Sequence, residues 1–209
     1  MDQDQLTKFS AFVEENRGKR KFNQSVELAI NFTGVDFSKQ DNRLNMEVKL
    51  PNGKGKEVKI MVFSDERSAT EKAGKLGAKV IPSSELQSMA TDKEKLKELL
   101  SYELFAQPSL MPQIARAFGQ FLGPRNKMPR PIVSDIDRIV GDATKSIYIR
   151  SKGKYLPTVH CMVGTEKMNV SDLAANIDEV VTTVTKKVGK EHMKSIYVKF
   201  TMGAPLKLV

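Results

Sequence analysis

The sequence contains no tryptophan, one cysteine and two histidines in 209 residues. The single thiol, Cys161, excludes an internal disulfide and a cysteine-based zinc site. It reads as a small buried hydrophobe, and a chain with so little cysteine is expected in the reducing cytoplasm. His192 stands in a lysine-rich stretch and reads as solvated. His160 adjoins Cys161, and neighbours on a strand point to opposite faces, so the two form no nucleophilic dyad. No apolar run is long enough to span a bilayer, and the polar, acidic stretch Met1 to Gln5 does not resemble a secretory leader. Also missing are the Gly-x-Ser-x-Gly turn of hydrolases, the phosphate loop of nucleotide triphosphatases and the Gly-x-Gly-x-x-Gly turn of dinucleotide sites. Gly53-Lys54-Gly55-Lys56 is only superficially like a phosphate loop, because it precedes a strand instead of following one. No catalytic residue, metal ligand or cofactor is therefore expected.

What the chain does have is a core-forming composition, with 40% hydrophobic and 28% charged residues. It also has a basic excess, +9 overall with a pI near 9.5. Such an excess points to a polyanionic partner, most often nucleic acid. Residues 1–53 are neutral, 54–149 carry +4 and 150–209 carry +5, so no single segment holds the excess.

The hydrophobic pattern changes twice along the chain. Leu6, Phe9, Phe12 and Val13 recur at helical spacing, with Gly18 placed to end the helix. Val26, Leu28, Ile30 and Phe32 alternate with polar residues, as do Leu44, Met46, Val48 and Leu50. These are strands with one wet face, and the polar stretch 34–42 could close them as an antiparallel pair. Pro51 to Lys56 reads as a turn or hinge. Beyond it the texture becomes nearly continuous apolar strands at 58–63, 79–81 and 102–106. They alternate with helices at 66–76, from a cap at Ser83 or Ser84, from Asp92 to Leu100, and over Leu110, Ile114, Phe118 and Phe121. The last part returns to half-wet strands at Ile147–Ile149 and 195–201, around a helix capped at Ser171 with the stripe Leu173, Ile177, Val180, Val184 and Val188. The expectation is an α/β (α+β) chain of two domains. A discontinuous outer domain, 1–53 plus 150–209, is interrupted by a parallel α/β domain at 54–149.

Several polar residues carry a nucleic-acid reading. The wet face of the outer sheet would show Ser25, Glu27, Asn31, Lys199 and Thr201, side chains suited to sugar hydroxyls and phosphates of folded RNA. An ordinary solvated sheet face has the same pattern. Lys19, Arg20 and Lys21 could neutralise phosphates or simply sit in solvent. Phe22 could stack on a base or anchor its loop in the core. In Thr201-Met202-Gly203, Gly permits close backbone approach, though any strand-ending turn uses one. The loop 123–131 is rich in Pro and basic residues and reads as an RNA or domain contact, or as a rigid surface loop.

Four motifs in order give these features a family. They are Lys21-Phe22-Asn23-Gln24-Ser25-Val26-Glu27, Leu50-Pro51-Asn52-Gly53-Lys54-Gly55-Lys56, Leu122-Gly123-Pro124-Arg125-Asn126-Lys127-Met128-Pro129, and Ser195-Ile196-Tyr197-Val198 leading to Thr201-Met202-Gly203. With them the chain resembles the L-one, or stalk-protein, family of large-subunit ribosomal proteins, in its archaeal form. The resemblance implies an outer split βαβ sandwich made from both chain ends, and an inserted Rossmann-like three-layer domain without a dinucleotide. It implies a non-enzymatic, cytoplasmic ribosomal protein, monomeric off the ribosome and with no membrane partner. Its partners would be stalk-region rRNA, the exit-site tRNA whose release it assists, and its own mRNA, whose translation it represses. Carried over by position, the RNA contacts fall on Lys21, Phe22, Ser25, Glu27, Asn31, Lys154, His160, Ser195, Thr201, Met202 and Gly203. The chain departs from the family pattern with Asn23 and Gln24 where an acidic residue commonly follows the Lys-Phe pair, a change not expected to hurt RNA binding, and with Phe200 where a small polar residue usually precedes Thr-Met-Gly. That second departure puts the edge of the RNA contact in question. A repressor without a ribosomal role, and an enzyme using the inserted domain for a nucleotide, are the competing readings.

Overall fold

Alternation over 25–32 buries Val26, Leu28, Ile30 and Phe32 on one side of a strand that lies in the middle of its sheet. The computed structural model describes residues 1–37, 39–133, 135–151 and 157–209. In chain order the elements are α1 (Gln3–Asn16), β1 (Ser25–Phe32), β2 (Asn45–Lys49), β3 (Ile60–Phe63), α2 (Arg67–Lys75), β4 (Lys79–Ile81), α3 (Leu86–Thr91), α4 (Lys93–Leu99), β5 (Glu103–Ala106), α5 (Met111–Leu122), β6 (Arg130–Pro131), α6 (Ile136–Lys145), β7 (Ser146–Arg150), β8 (Thr158–Thr165), α7 (Val170–Val188), β9 (Met193–Phe200) and β10 (Leu206–Lys207). The chain divides into two units, Met1–Lys56 with Lys145–Val209, and Glu57–Thr144. The sequence boundaries stood at 53/54 and 149/150. In the structure β7 pairs along its length with β2, which carries residues 146–149 into the first unit.

In the first unit the sheet order is β10-β9-β1-β8, and β2 with β7 forms a separate antiparallel ribbon. Both β8 and β9 run antiparallel to β1, so they are parallel to each other, joined by α7 and separated by β1. This is a split βαβ unit. The α7 stripe Leu173, Ile177, Val180 and Val184, and Phe9 and Val13 of α1, are buried in one core with the apolar face of β1. The expected pairing of the strands at 25–33 and 43–50 does not occur. Both edges of β1 are occupied by strands from the other end of the chain. Phe37, in the connection, is buried edge-on against Phe32 with ring centroids 5.3 Å apart, which draws the connection into the core rather than round a hairpin. The α7 cap also lies two residues earlier than Ser171, at Asn169.

The second unit is a parallel sheet in the order β4-β3-β5-β6. Met61 and Phe63 of β3 join a cluster with Leu86, Leu99, Ile114, Phe118 and Leu122. Ile60 and Val62 join another with Ala73, Ile136 and Ala143. Helices thus cover both faces, which is why the strand residues are apolar without alternation. The fold is α/β with a three-layer second unit. Asp92 caps α4 as its sequence position indicates, accepting from the Glu94 and Lys95 N–H groups.

Candidate nucleic-acid interface

The first unit brings the candidate residues to the wet face of its sheet and to one end of β1. Helix α1 stops at Asn16, and Gly18 takes a left-handed φ of 71° that turns the chain toward β1. The segment that follows exposes Lys19, Arg20, Lys21, Phe22 and Asn23. Phe22 is 51% exposed, so the core-anchor reading of this ring does not hold. Lys19 lies 3.7 Å from Glu15, an exposed pair on one helical turn.

Strand register sets three rungs across the polar face. Thr158, Asn31 and Ser195 form one, His160, Ala29 and Tyr197 the next, and Met162, Glu27 and Lys199 the third. The first rung is internally bonded: Thr158 Oγ1 donates to Asn31 Oδ1 at 2.8 Å, and Asn31 Nδ2 donates to Ser195 Oγ at 2.9 Å. Ser195 is only 7% exposed, so its hydroxyl braces Asn31 rather than standing free. Glu27 is half-buried and has no hydrogen bond or ion pair among the described residues, which leaves its carboxylate available as an acceptor. His160 is exposed on the same face. Lys154 lies outside the described residues.

Beyond β9 the chain makes a tight turn against the start of β1. The Thr201 N–H donates to the Ser25 carbonyl at 3.0 Å. Thr201 Oγ1 accepts the Ser25 N–H at 3.1 Å and donates to the Ser25 carbonyl at 3.2 Å, so this hydroxyl is engaged within the protein. The Met202 N–H donates to Gln24 Oε1 at 3.3 Å, while the Met202 side chain stays 60% exposed. Gly203 closes the turn with its N–H on the Phe200 carbonyl at 2.9 Å. A Cβ at 203 would come within 3.2 Å of Phe200 Cβ, a tight approach that glycine avoids. Phe200 itself is fully buried, its ring centroid 5.6 Å from that of Phe12. Its side chain faces the core, so the expected disturbance of the outer contact edge does not arise from its bulk. A cavity of about 400 Å³ opens between Asn16, Lys19 and Arg20 on the α1 side and Met202, Gly203 and Ala204 on the turn.

Two residues at this end are not among the candidate contacts. Gln24 and Glu166 are buried and bonded to each other across 142 residues of chain. Gln24 stands within the first family motif, but nothing local marks its bond to Glu166, which is a contact between distant segments.

The remaining candidates read as structure. Cys161 is partly buried against the first core, and burial pushes its thiol up to about 12, the opposite of a reactive cysteine. His192 is not simply solvated: its Nδ1 lies 3.0 Å from the Thr33 carbonyl oxygen. Among the described residues no group of three or more His, Cys, Asp or Glu could hold a metal, and no helix is long and apolar enough to cross a membrane. In the second unit, the ends of β3 and β5 mark the point where strand order reverses, the usual ligand crevice of such sheets. There Ser64 Oγ and the Asp65 N–H both donate to Gln107 Oε1, at 3.3 and 3.4 Å, and Asp65 Oδ1 accepts the Ser83 N–H at 2.7 Å. The Ser64 hydroxyl and the Asp65 and Ser83 N–H groups are thus bonded to side chains of the protein itself.

Residues 10–204 match the Ribosomal protein L1p/L10e family. The chain belongs to this family. It is similar to the large ribosomal subunit protein uL1 of Pyrococcus abyssi, with 42% identity over 196 residues, 90% of this chain and 88% of that protein. Similarity to uL1 of Methanothermococcus thermolithotrophicus is 36% over 214 residues, covering 100% of this chain and 99% of the relative. With uL1 of Thermoplasma volcanium it is 32% over 212 residues, 100% and 97%. Membership in the L1p/L10e family makes the chain a structural ribosomal constituent of archaeal type and not an enzyme. The resemblance drawn from four sequence motifs and the family match agree.

Proposed function

We propose that the first unit binds stalk-region rRNA of the large ribosomal subunit through the wet face of β1 and β9 and the turn 201–203. The observation that carries this reading is the pairing of an exposed Phe22 and Met202 with a turn backbone bonded to Gln24 and Ser25. Apolar side chains left in water beside Lys19, Arg20 and Lys21 fit a surface that stacks on bases while cations meet phosphates. Lys154 and His160 belong to the same proposed contact set. Glu27 supplies recognition: a carboxylate repels phosphate, but it accepts from a base amino group or a 2′-hydroxyl. On the same reading the chain assists the exit-site tRNA to leave. It also represses translation of its own mRNA, because a single surface that reads folded RNA serves any transcript bearing the same shape. Off the ribosome it acts as a monomer.

The test is Glu27→Gln, measured on the stalk rRNA fragment and on an unrelated duplex at one salt concentration. Loss of the charge should strengthen the duplex complex by easing repulsion. It should weaken the specific complex by about 1–2 kcal/mol, since a charged acceptor becomes a neutral amide. If both affinities rise together, Glu27 is a solvated bystander and the recognition surface is wrong at that position.

A further inference from the structure

Glu166 is a carboxylate only 6% exposed. Its Oε2 accepts from the Gly18 N–H and from Gln24 Nε2, each at 3.3 Å. Its Oε1 accepts the Gln24 N–H at 3.2 Å, and its own N–H donates to the Gln24 carbonyl at 3.0 Å. Among the described residues every donor to this carboxylate is neutral, and it forms no ion pair. Gln24, 2% exposed, is used at both ends of its amide: Nε2 serves Glu166, and Oε1 accepts the Met202 N–H. One chain of hydrogen bonds, buried between Gln24 and Glu166 and part-buried at its ends, therefore runs from the end of β8, through the segment after α1, to the turn after β9.

A carboxylate taken out of water without a counter-charge is unfavourable, and apolar residues would fill the same space without that cost. What the arrangement provides is direction. It fixes the backbone at Gly18 and Gln24, between which the basic and aromatic residues are strung, and it fixes the Met202 backbone on the far side. We infer that Glu166 and Gln24 are positioning residues for the RNA surface, holding the 19–22 segment and the 201–203 turn in one preset arrangement before RNA arrives. The inference rests on the RNA-binding reading above. Preset geometry lowers the ordering cost of association, so the effect belongs to shape-specific binding and not to general attraction for polyanions.

The relay runs in one sense. Position 24 must give an N–H to Glu166 and an oxygen to Met202. A glutamate at 24 offers only oxygens and sets two buried carboxylates against each other, and one shared proton restores the link. The charged groups around it are Lys19 and Arg20, which line the adjoining cavity, Arg17, whose Nη2 donates to the Met168 carbonyl at 2.6 Å, and exposed Lys167.

The experiment compares the full chain with its Gln24→Ala and Gln24→Glu variants. Binding is measured to a stalk rRNA fragment and to an unrelated duplex, and hydrogen exchange at the Met202 amide is measured without RNA. In Gln24→Ala, fragment affinity should fall about tenfold and duplex affinity should hold. The Met202 amide should exchange faster. In Gln24→Glu, fragment affinity should recover as pH drops from about 8 to about 5.5, beyond any change in the unaltered protein. Should Gln24→Ala not fold, that recovery carries the test. Faster Met202 exchange with unchanged preference for the fragment overturns the inference alone, as does unchanged exchange. An unaltered protein that does not prefer the fragment over the duplex overturns the RNA-binding reading, and this inference with it.

Discussion

At the scale of the residue, Thr201 and Met202 are neighbours with different tasks. The Thr201 hydroxyl both gives to and takes from the Ser25 backbone, so it holds the protein together. The Met202 side chain stands in water and holds nothing in the free chain. Thr201→Val should therefore lower unfolding free energy by about 1 kcal/mol, read by chemical denaturation. Met202→Ala should leave stability unchanged and weaken stalk-fragment binding by about 1–2 kcal/mol, read by titration. A Met202→Ala variant that loses stability and keeps affinity would reverse the assignment. Cys161 offers a test at another point. Its folded pKa, about 12, lies above the ordinary 9.0, so the buried thiol contributes stability that is complete below about pH 9 and is lost as pH rises toward 12. Between about pH 8 and pH 10.5 the protein should lose about 1–2 kcal/mol more than its Cys161→Ala variant, as followed by urea unfolding.

At the scale of the element, α7 does more than cover the sheet. Asn176, fully buried on its inner side, donates to the Val163 carbonyl of β8 at 2.8 Å and the Gly53 carbonyl at 2.9 Å, and accepts the Asn52 N–H at 3.1 Å. The segment read from sequence as a hinge is thus pinned to the helix at Asn52 and Gly53. Gly53 and Gly55 adopt left-handed φ values of 67° and 63° there. A Cβ at 55 would meet the Met168 sulfur at 2.5 Å, so this turn admits no side chain at that position. Asn176→Ala strands the buried Val163 carbonyl and two part-buried backbone groups and should cost about 2 kcal/mol. The same variant should be cut faster by protease at 51–55. Unchanged stability would show that water replaces the amide without loss.

At the scale of the whole molecule, the residues of the proposed RNA surface all lie in the unit built from both chain ends. The Leu50 N–H donates to the Lys145 carbonyl at 2.9 Å, so the chain re-enters the first unit beside a residue only six positions before the one where it leaves, and a short linker can replace the insertion. Removing Glu57–Thr144 and joining 56 to 145 with a few glycines and serines should leave a folded protein. Its affinity for the stalk fragment should stay within about tenfold of the full chain. A loss of several kcal/mol with the fold intact would move the principal site to the second unit. The basic excess is spread along the sequence, so this measurement, not charge counting, locates recognition.

Much of this architecture was legible in the order of residues, because the side-chain period reports how each segment meets the core. Alternation at Val26, Leu28, Ile30 and Phe32 specified a half-wet strand, and unbroken apolar character at Ile60–Phe63 specified one covered on both faces. The helix Ile136–Lys145 escaped that reading although Ile136, Ile139, Val140 and Ala143 have the right spacing; the Pro-rich loop before it and Gly141 within it interrupt the pattern. Partner choice was not legible. A period names the buried side of a strand but not its neighbour, and so alternation allows β1 to pair with β2 although its edges belong to β8 and β9. The candidate site divides in the same way. Exposed Lys21, Phe22 and Met202 were visible as residue types in turns, and the motifs that hold them pointed to the family. The bonds that orient them, Gln24 to Glu166, Ser25 to Thr201 and Gln24 to Met202, join residues 142, 176 and 178 apart. Hydrogen bonds between such distant groups leave no local trace, because each depends on two chain ends being brought together by a core that neither end encodes alone.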